Sequence, residues 1–197
     1  MIVDCHTHVR SLTEVDTSEH LAATETVDAC IVLASPEDSH DAVNEKLSEY
    51  VNRNRARMVG FAVVDPTQDG IDERSLRSRV EGLGLQGFVL YCALGGFHPV
   101  HSLAMRFYAM VQEMGLPIFF HNSSHSLKSQ AVLEYAQPHL LDEVARVCPD
   151  LKMVIGSMGV PFVDQTLSMV SKHEHVFASA AGPESGWQPL PGRAAGG

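Results

Sequence analysis

No stretch of this sequence is apolar for long enough to span a membrane. The first residues carry no basic run, and Asp4 interrupts their apolar stretch, so a secretory leader is not expected. Positive charge is scarce: 14 Lys and Arg stand against 24 Asp and Glu, for a formal net charge of −10. That balance argues against a nucleic-acid partner, which needs a basic footprint, and against anionic lipid surfaces. Cysteine is sparse too. Cys5, Cys30, Cys92 and Cys148 are scattered, with no C-x-x-C pair, and read as reduced thiols of a cytoplasmic protein. A Gly-rich phosphate loop of either common type is missing, which weighs against a nucleotide-binding open sheet. What remains is ordinary globular composition, 45% hydrophobic over 197 residues, enough for one sizeable core.

The chain alternates short apolar runs with helical periodicity. Strands are expected at Ile2–Cys5, Ala29–Leu33, Met58–Val64, Gly87–Tyr91, Pro117–His121, Leu151–Ile155 and Val176–Ala180. Helices are expected at Thr17–Asp28, Ser39–Arg55, Ile71–Glu81, Leu103–Met114, His139–Cys148 and Val163–Lys172, the first capped by Thr17 or Ser18. Cys92–His101 reads as a loop. Continuously apolar strands alternating with helices indicate a parallel sheet buried on both faces. The expected fold is α/β: an incomplete (β/α)8 barrel of about seven strands over residues 1–181. The Gly- and Pro-rich tail from Gly182 to Gly197, with Trp187 inside it, reads as unstructured.

The N-terminal stretch Asp4-Cys5-His6-Thr7-His8 carries the clearest chemistry. Residues two apart on a strand share a face, so His6 and His8 can converge on one cation, and Asp4 can hold a ring from behind. Alone, an H-x-H pair is as readily a polar loop. His121 closes a later strand, and all three histidines then fall at strand C-termini, where barrel chemistry resides. A structural strand-end histidine is the alternative for His121. His98 and His101 follow strand four on that same side and can contact substrate, or simply face solvent. His125 can substitute for a missing ligand. His173 and His175 lie at strand starts and read as surface residues. Cys92 has no evident activating base nearby.

Taken in order, D-C-H-T-H, G-F-A-V-V-D-P, G-F-V-L-Y followed by G-G-F-H-P, L-P-I-F-F-H and K-M-V-I-G-S-M-G resemble the amidohydrolase-related branch of the amidohydrolase superfamily. That branch includes metal-dependent hydrolases and aminocarboxymuconate-semialdehyde-decarboxylase-like enzymes. The resemblance implies a barrel that holds zinc or a similar divalent ion and acts on a small carboxylate or carbonyl compound, as hydrolase or lyase. It implies His6, His8 and His121 as ligands. It also implies a strand-six histidine in catalysis and a strand-eight aspartate on the metal. Ser157 occupies the strand-six position, and no strand-eight aspartate is present, so the catalytic residues are unassigned. Val89 stands where some relatives carry a lysine. The alternative reading is therefore an impaired barrel that keeps metal and has lost turnover. Unclosed strand edges would favour a homo-oligomer.

Overall fold

The structure is a computed structural model, and it describes residues 1–9, 11–36, 39–121 and 130–180. Seven strands form one parallel sheet in sequence order: β1 (Val3–Thr7), β2 (Ala29–Leu33), β3 (Met58–Val63), β4 (Phe88–Leu90), β5 (Ile118–Phe120), β6 (Met153–Ile155) and β7 (Val176–Ala178). The helices between them are α1 (Glu14–Ala23), α2 (His40–Arg53), α3 (Glu73–Arg77), α4 (Cys92–Gly95), α5 (Ser102–Glu113), α6 (Leu141–Val147) and α7 (Val163–Lys172). Each parallel step needs a crossover, which these helices supply. The sheet curls into an incomplete (β/α)8-type barrel. At its C-terminal rim the two outer strands approach each other, where His6 Nδ1 lies 3.2 Å from Ser179 Oγ. Among the described residues β1 and β7 share no ladder.

The apolar runs are strands because both of their faces are covered. Phe88, Val89, Leu90, Ile118, Phe119 and Phe120 are all essentially inaccessible, and Phe107 and Tyr108 of α5 close over them from outside. Val43, Leu47, Tyr50 and Val51 recur at helical spacing on α2 and are buried, so this helix packs by an apolar stripe. In α1 the only buried residue is His20, whose ring bridges Thr7 Oγ1 and Tyr50 OH.

Element boundaries differ from expectation where caps decide them. Thr13, not Thr17 or Ser18, caps α1, its hydroxyl accepting from Asp16 N–H at 3.2 Å. Thr17 and Ser18 lie inside the helix and donate back to carbonyls of Thr13 and Glu14. The expected loop after strand four begins with one helical turn, α4, closed by Gly96 in the left-handed region. His139 falls in a 3-10 turn at Pro138–Leu140 that precedes α6. His173 is half-buried rather than a surface residue, its Nε2 2.7 Å from Asp142 Oδ1. The tail from Gly182, Trp187 and His125 lie outside the described residues.

One buried polar contact fastens α2 to the sheet. Asn44, fully buried, donates to Val63 C=O at 2.9 Å and accepts Val63 N–H at 2.8 Å. Asn44→Ala strands both backbone groups. We expect it to cost about 3 kcal/mol in urea unfolding, with Asn44→Asp recovering part of that, because each orphaned buried group costs about 1–3 kcal/mol. An Asn44→Ala variant as stable as wild type would show that water replaces the bridge.

Candidate metal centre

Register explains how the site assembles. Leu90 pairs with Phe120, Phe120 with Ile155, and Ile155 with Ala178. The ladder continues one step past the strands: His121 N–H donates to Leu90 C=O, and Ser179 N–H to Ile155 C=O. Tyr91, His121 and Ser179 are thus the first residues beyond their apolar runs and sit on one rung at the C-terminal rim. Val63 pairs with Val89, which brings Asp65 to the same rung. Strand β1 enters differently. Its pairing with β2 slips between Asp4 and Thr7, so simple alternation fails there. Asp4 Oδ1 accepts the backbone N–H of His6 at 3.0 Å instead of holding a ring. The ring-holding contacts come from elsewhere. His8 Nδ1 meets Leu33 C=O at 3.0 Å, and His6 Nδ1 meets Ser179 Oγ.

His6, His8 and His121 converge. One ring nitrogen from each lies within 4.8 Å of the other two. The Nε2 atoms of His8 and His121 are 3.2 Å apart. The surroundings of His6 and His121 favour neutral imidazole. Burial, then the neighbouring His8, lowers the His6 pKa to about 4, against a weaker pull from Asp4. Burial, with His8 and His6 close by, holds His121 well below the usual histidine range. Because a carbonyl only accepts, His8 carries a proton on Nδ1, and in the neutral ring this leaves the Nε2 lone pair turned to the cluster. Neutral imidazole lone pairs suit a borderline divalent ion. This donor set fits one such ion.

Two aromatic residues that sequence reasoning missed frame the cluster. Tyr91 stacks on His121 with centroids 4.7 Å apart, and its hydroxyl donates to Ala34 C=O. Phe119 lies beneath His6 at 4.8 Å. The signal for Tyr91 was available, since it ends its apolar run as His121 ends the next. His98 and His101 act on nearby backbone, their Nδ1 atoms accepting N–H groups of Val100 and Leu103. The His98 ring also packs edge-on against Tyr135. Ser157 is buried just past β6. It and Met158 both take left-handed backbone angles, φ 50° and 52°, a costly conformation for residues other than glycine.

The sequence matches the amidohydrolase family profile over residues 2–195. The chain belongs to the amidohydrolase family. No curated protein matches it by direct sequence comparison. Solved structures share the fold at low identity. A probable 2-pyrone-4,6-dicarboxylic acid hydrolase from Acinetobacter baumannii superposes with a TM-score of 0.63 at 15% identity, over 90% of this chain and 68% of that one. A 5-carboxyvanillate decarboxylase from Sphingomonas paucimobilis gives 0.62 at 14%, over 82% and 69%. A dihydroorotase from Campylobacter jejuni gives 0.62 at 15%, over 90% of this amidohydrolase but 52% of the dihydroorotase. No helix among the described residues is long and apolar enough to cross a membrane.

Proposed function

We propose that this amidohydrolase binds one divalent ion, zinc being the best match, through His6, His8 and His121, and that the site serves hydrolysis or decarboxylation of a small carboxylate or carbonyl compound. The observation that carries the reading is the convergence of three ring nitrogens within 4.8 Å, with the His8 tautomer set by Leu33. A divalent ion there supplies Lewis acidity, polarising a carbonyl or carboxyl oxygen and acidifying water. Leu33 and Ser179 orient two of the rings, and Tyr91 covers one face of the third. The hydrolase and the decarboxylase among the structural neighbours act at carboxylate-bearing compounds by their names, which supports the substrate class.

A second reading rests on Ser157 and on the cluster's composition. Serine is not an acid or base near neutral pH. The group of potential ligands among the described residues contains no carboxylate. On that reading the chain binds metal without turnover. Elemental analysis and a turnover screen decide between them. About one zinc per chain is expected in wild type, and less than about a tenth of that in the His6→Ala/His8→Ala double variant. Negligible metal in wild type, or equal metal in both, would remove the site. Zinc-dependent turnover abolished by His121→Ala selects the enzyme; zinc uptake with no turnover, unrestored by Ser157→His, selects the binding protein.

A further inference from the structure

A cavity of about 250 Å3 is separated from the three histidines by Tyr91 and is lined by His40, Asp65, Tyr91, Leu94 and Phe97 among others. Tyr91 belongs to both places, since the ring that lines the cavity is the one stacked on His121. The volume is below the range of pockets for drug-sized ligands, so it suits a single small ring.

Asp65, His40 and Gln130 supply its polar side chains. Asp65 is 7% exposed. Its Oδ1 is fully engaged, accepting the N–H and the O–H of Thr67 at 2.8 and 2.6 Å. The other oxygen, Oδ2, faces a place cleared by Gly95, where an added Cβ would sit only 3.0 Å away. His40 opens α2 and directs Nδ1 at Asp69 Oδ2, 2.8 Å distant. Asp69 also accepts Asp65 N–H at 2.9 Å. Burial opposes charge on Asp69, but hydrogen bonds from His40 and Asp65, and the nearby charge of Arg79, keep its pKa below the usual value. An ionised Asp69 only accepts, so His40 donates to it from Nδ1. No Lys or Arg is among the lining residues described.

We propose that this cavity is the far end of the substrate site and selects a hydrogen-bond donor, an amino or hydroxyl group on a small flat molecule, through Asp65 Oδ2. The inference extends the metal reading above, because it places the substrate's reacting group at the histidines and a donor group at the opposite end. Asp65 is the specificity residue here, and Asp69, which accepts the Asp65 backbone N–H, is a positioning residue.

The test uses 4-aminobenzoate and terephthalate, which share a ring and one carboxylate and differ in the second substituent. Both are titrated by NMR into the full chain, with zinc and with a chelator. The amino compound should bind at least about tenfold more tightly, the scale of one hydrogen bond to a charged group. Asp65→Asn and Gly95→Val should each reduce that preference below about twofold while leaving zinc uptake unchanged. Gly95→Val keeps the carboxylate and fills the space before it, so it carries the test should Asp65→Asn fail to fold. No binding of 4-aminobenzoate, equal affinity for the two compounds, or a preference that survives in every folded variant would overturn the proposal. Zinc uptake without the preference removes this inference alone. The preference without zinc uptake removes the metal reading alone.

Discussion

Metal-free protein should lose at most about 3 kcal/mol of stability through His6 alone between pH 6.5 and pH 4, and more through His121, which titrates in the same direction. The sign follows from proton uptake. In the unfolded chain both imidazoles protonate near pH 6.5. In the fold, burial and mutual repulsion hold His6 down to about 4 and His121 well below its ordinary value. Between those limits the unfolded state binds more protons, so stability falls as pH falls. Above 6.5 the contribution is constant. Urea melts at pH 7, 6, 5 and 4 in the presence of a chelator measure this, with His6→Gln expected to make the profile shallower and leave the His121 part. A wild-type profile that is already flat would mean the rings protonate freely in the fold and are poor candidates for neutral ligands.

Zinc should raise the stability of wild type by about 2.7 kcal/mol at a free concentration one hundred times the dissociation constant. The same zinc should leave His8→Ala and His121→Ala unshifted. Thermal melts across a zinc titration provide the measurement. His8→Ala is the milder variant, since its ring is only half-buried while His121 is 5% exposed and leaves a hole. Equal zinc stabilisation of wild type and both variants would place the ion elsewhere.

The strand pattern was legible because parallel strands covered on both faces are written as unbroken apolar runs, such as Gly87–Tyr91 and Pro117–His121. The meeting of His6, His8 and His121 could be anticipated because each lies at or beyond the C-terminal end of such a run. Supporting contacts were less readable. Leu33 contributes a carbonyl, which any residue type supplies, and Ser179 reaches His6 from 173 positions away. The slip in β1 removed Asp4 from its anticipated role, and nothing in the local sequence marks an extra residue there. His40 and Asp69 are 29 positions apart on different elements, and only the turn after β3 brings them together. The expected cap, Thr17 or Ser18, fell inside the helix because composition does not mark how far a helix extends upstream, here to Thr13.

The His6–Ser179 contact links β1 to the residue after β7 by side chains, and among the described residues the only strand that shares a ladder with β1 is β2. His6 and His8 sit on or beside that outermost strand, whereas His121 follows β5 across the bowl. The proposed ion, shared among them, would therefore also be a clasp, pinning that strand to the far wall. If the proposed ion is there, chelation would do more than empty a pocket: it would loosen a strand whose outer edge has no ladder partner among the described residues, a template for another chain. Metal scarcity would be felt by this molecule as stickiness, with solubility reporting the state of the centre independently of any chemistry done there.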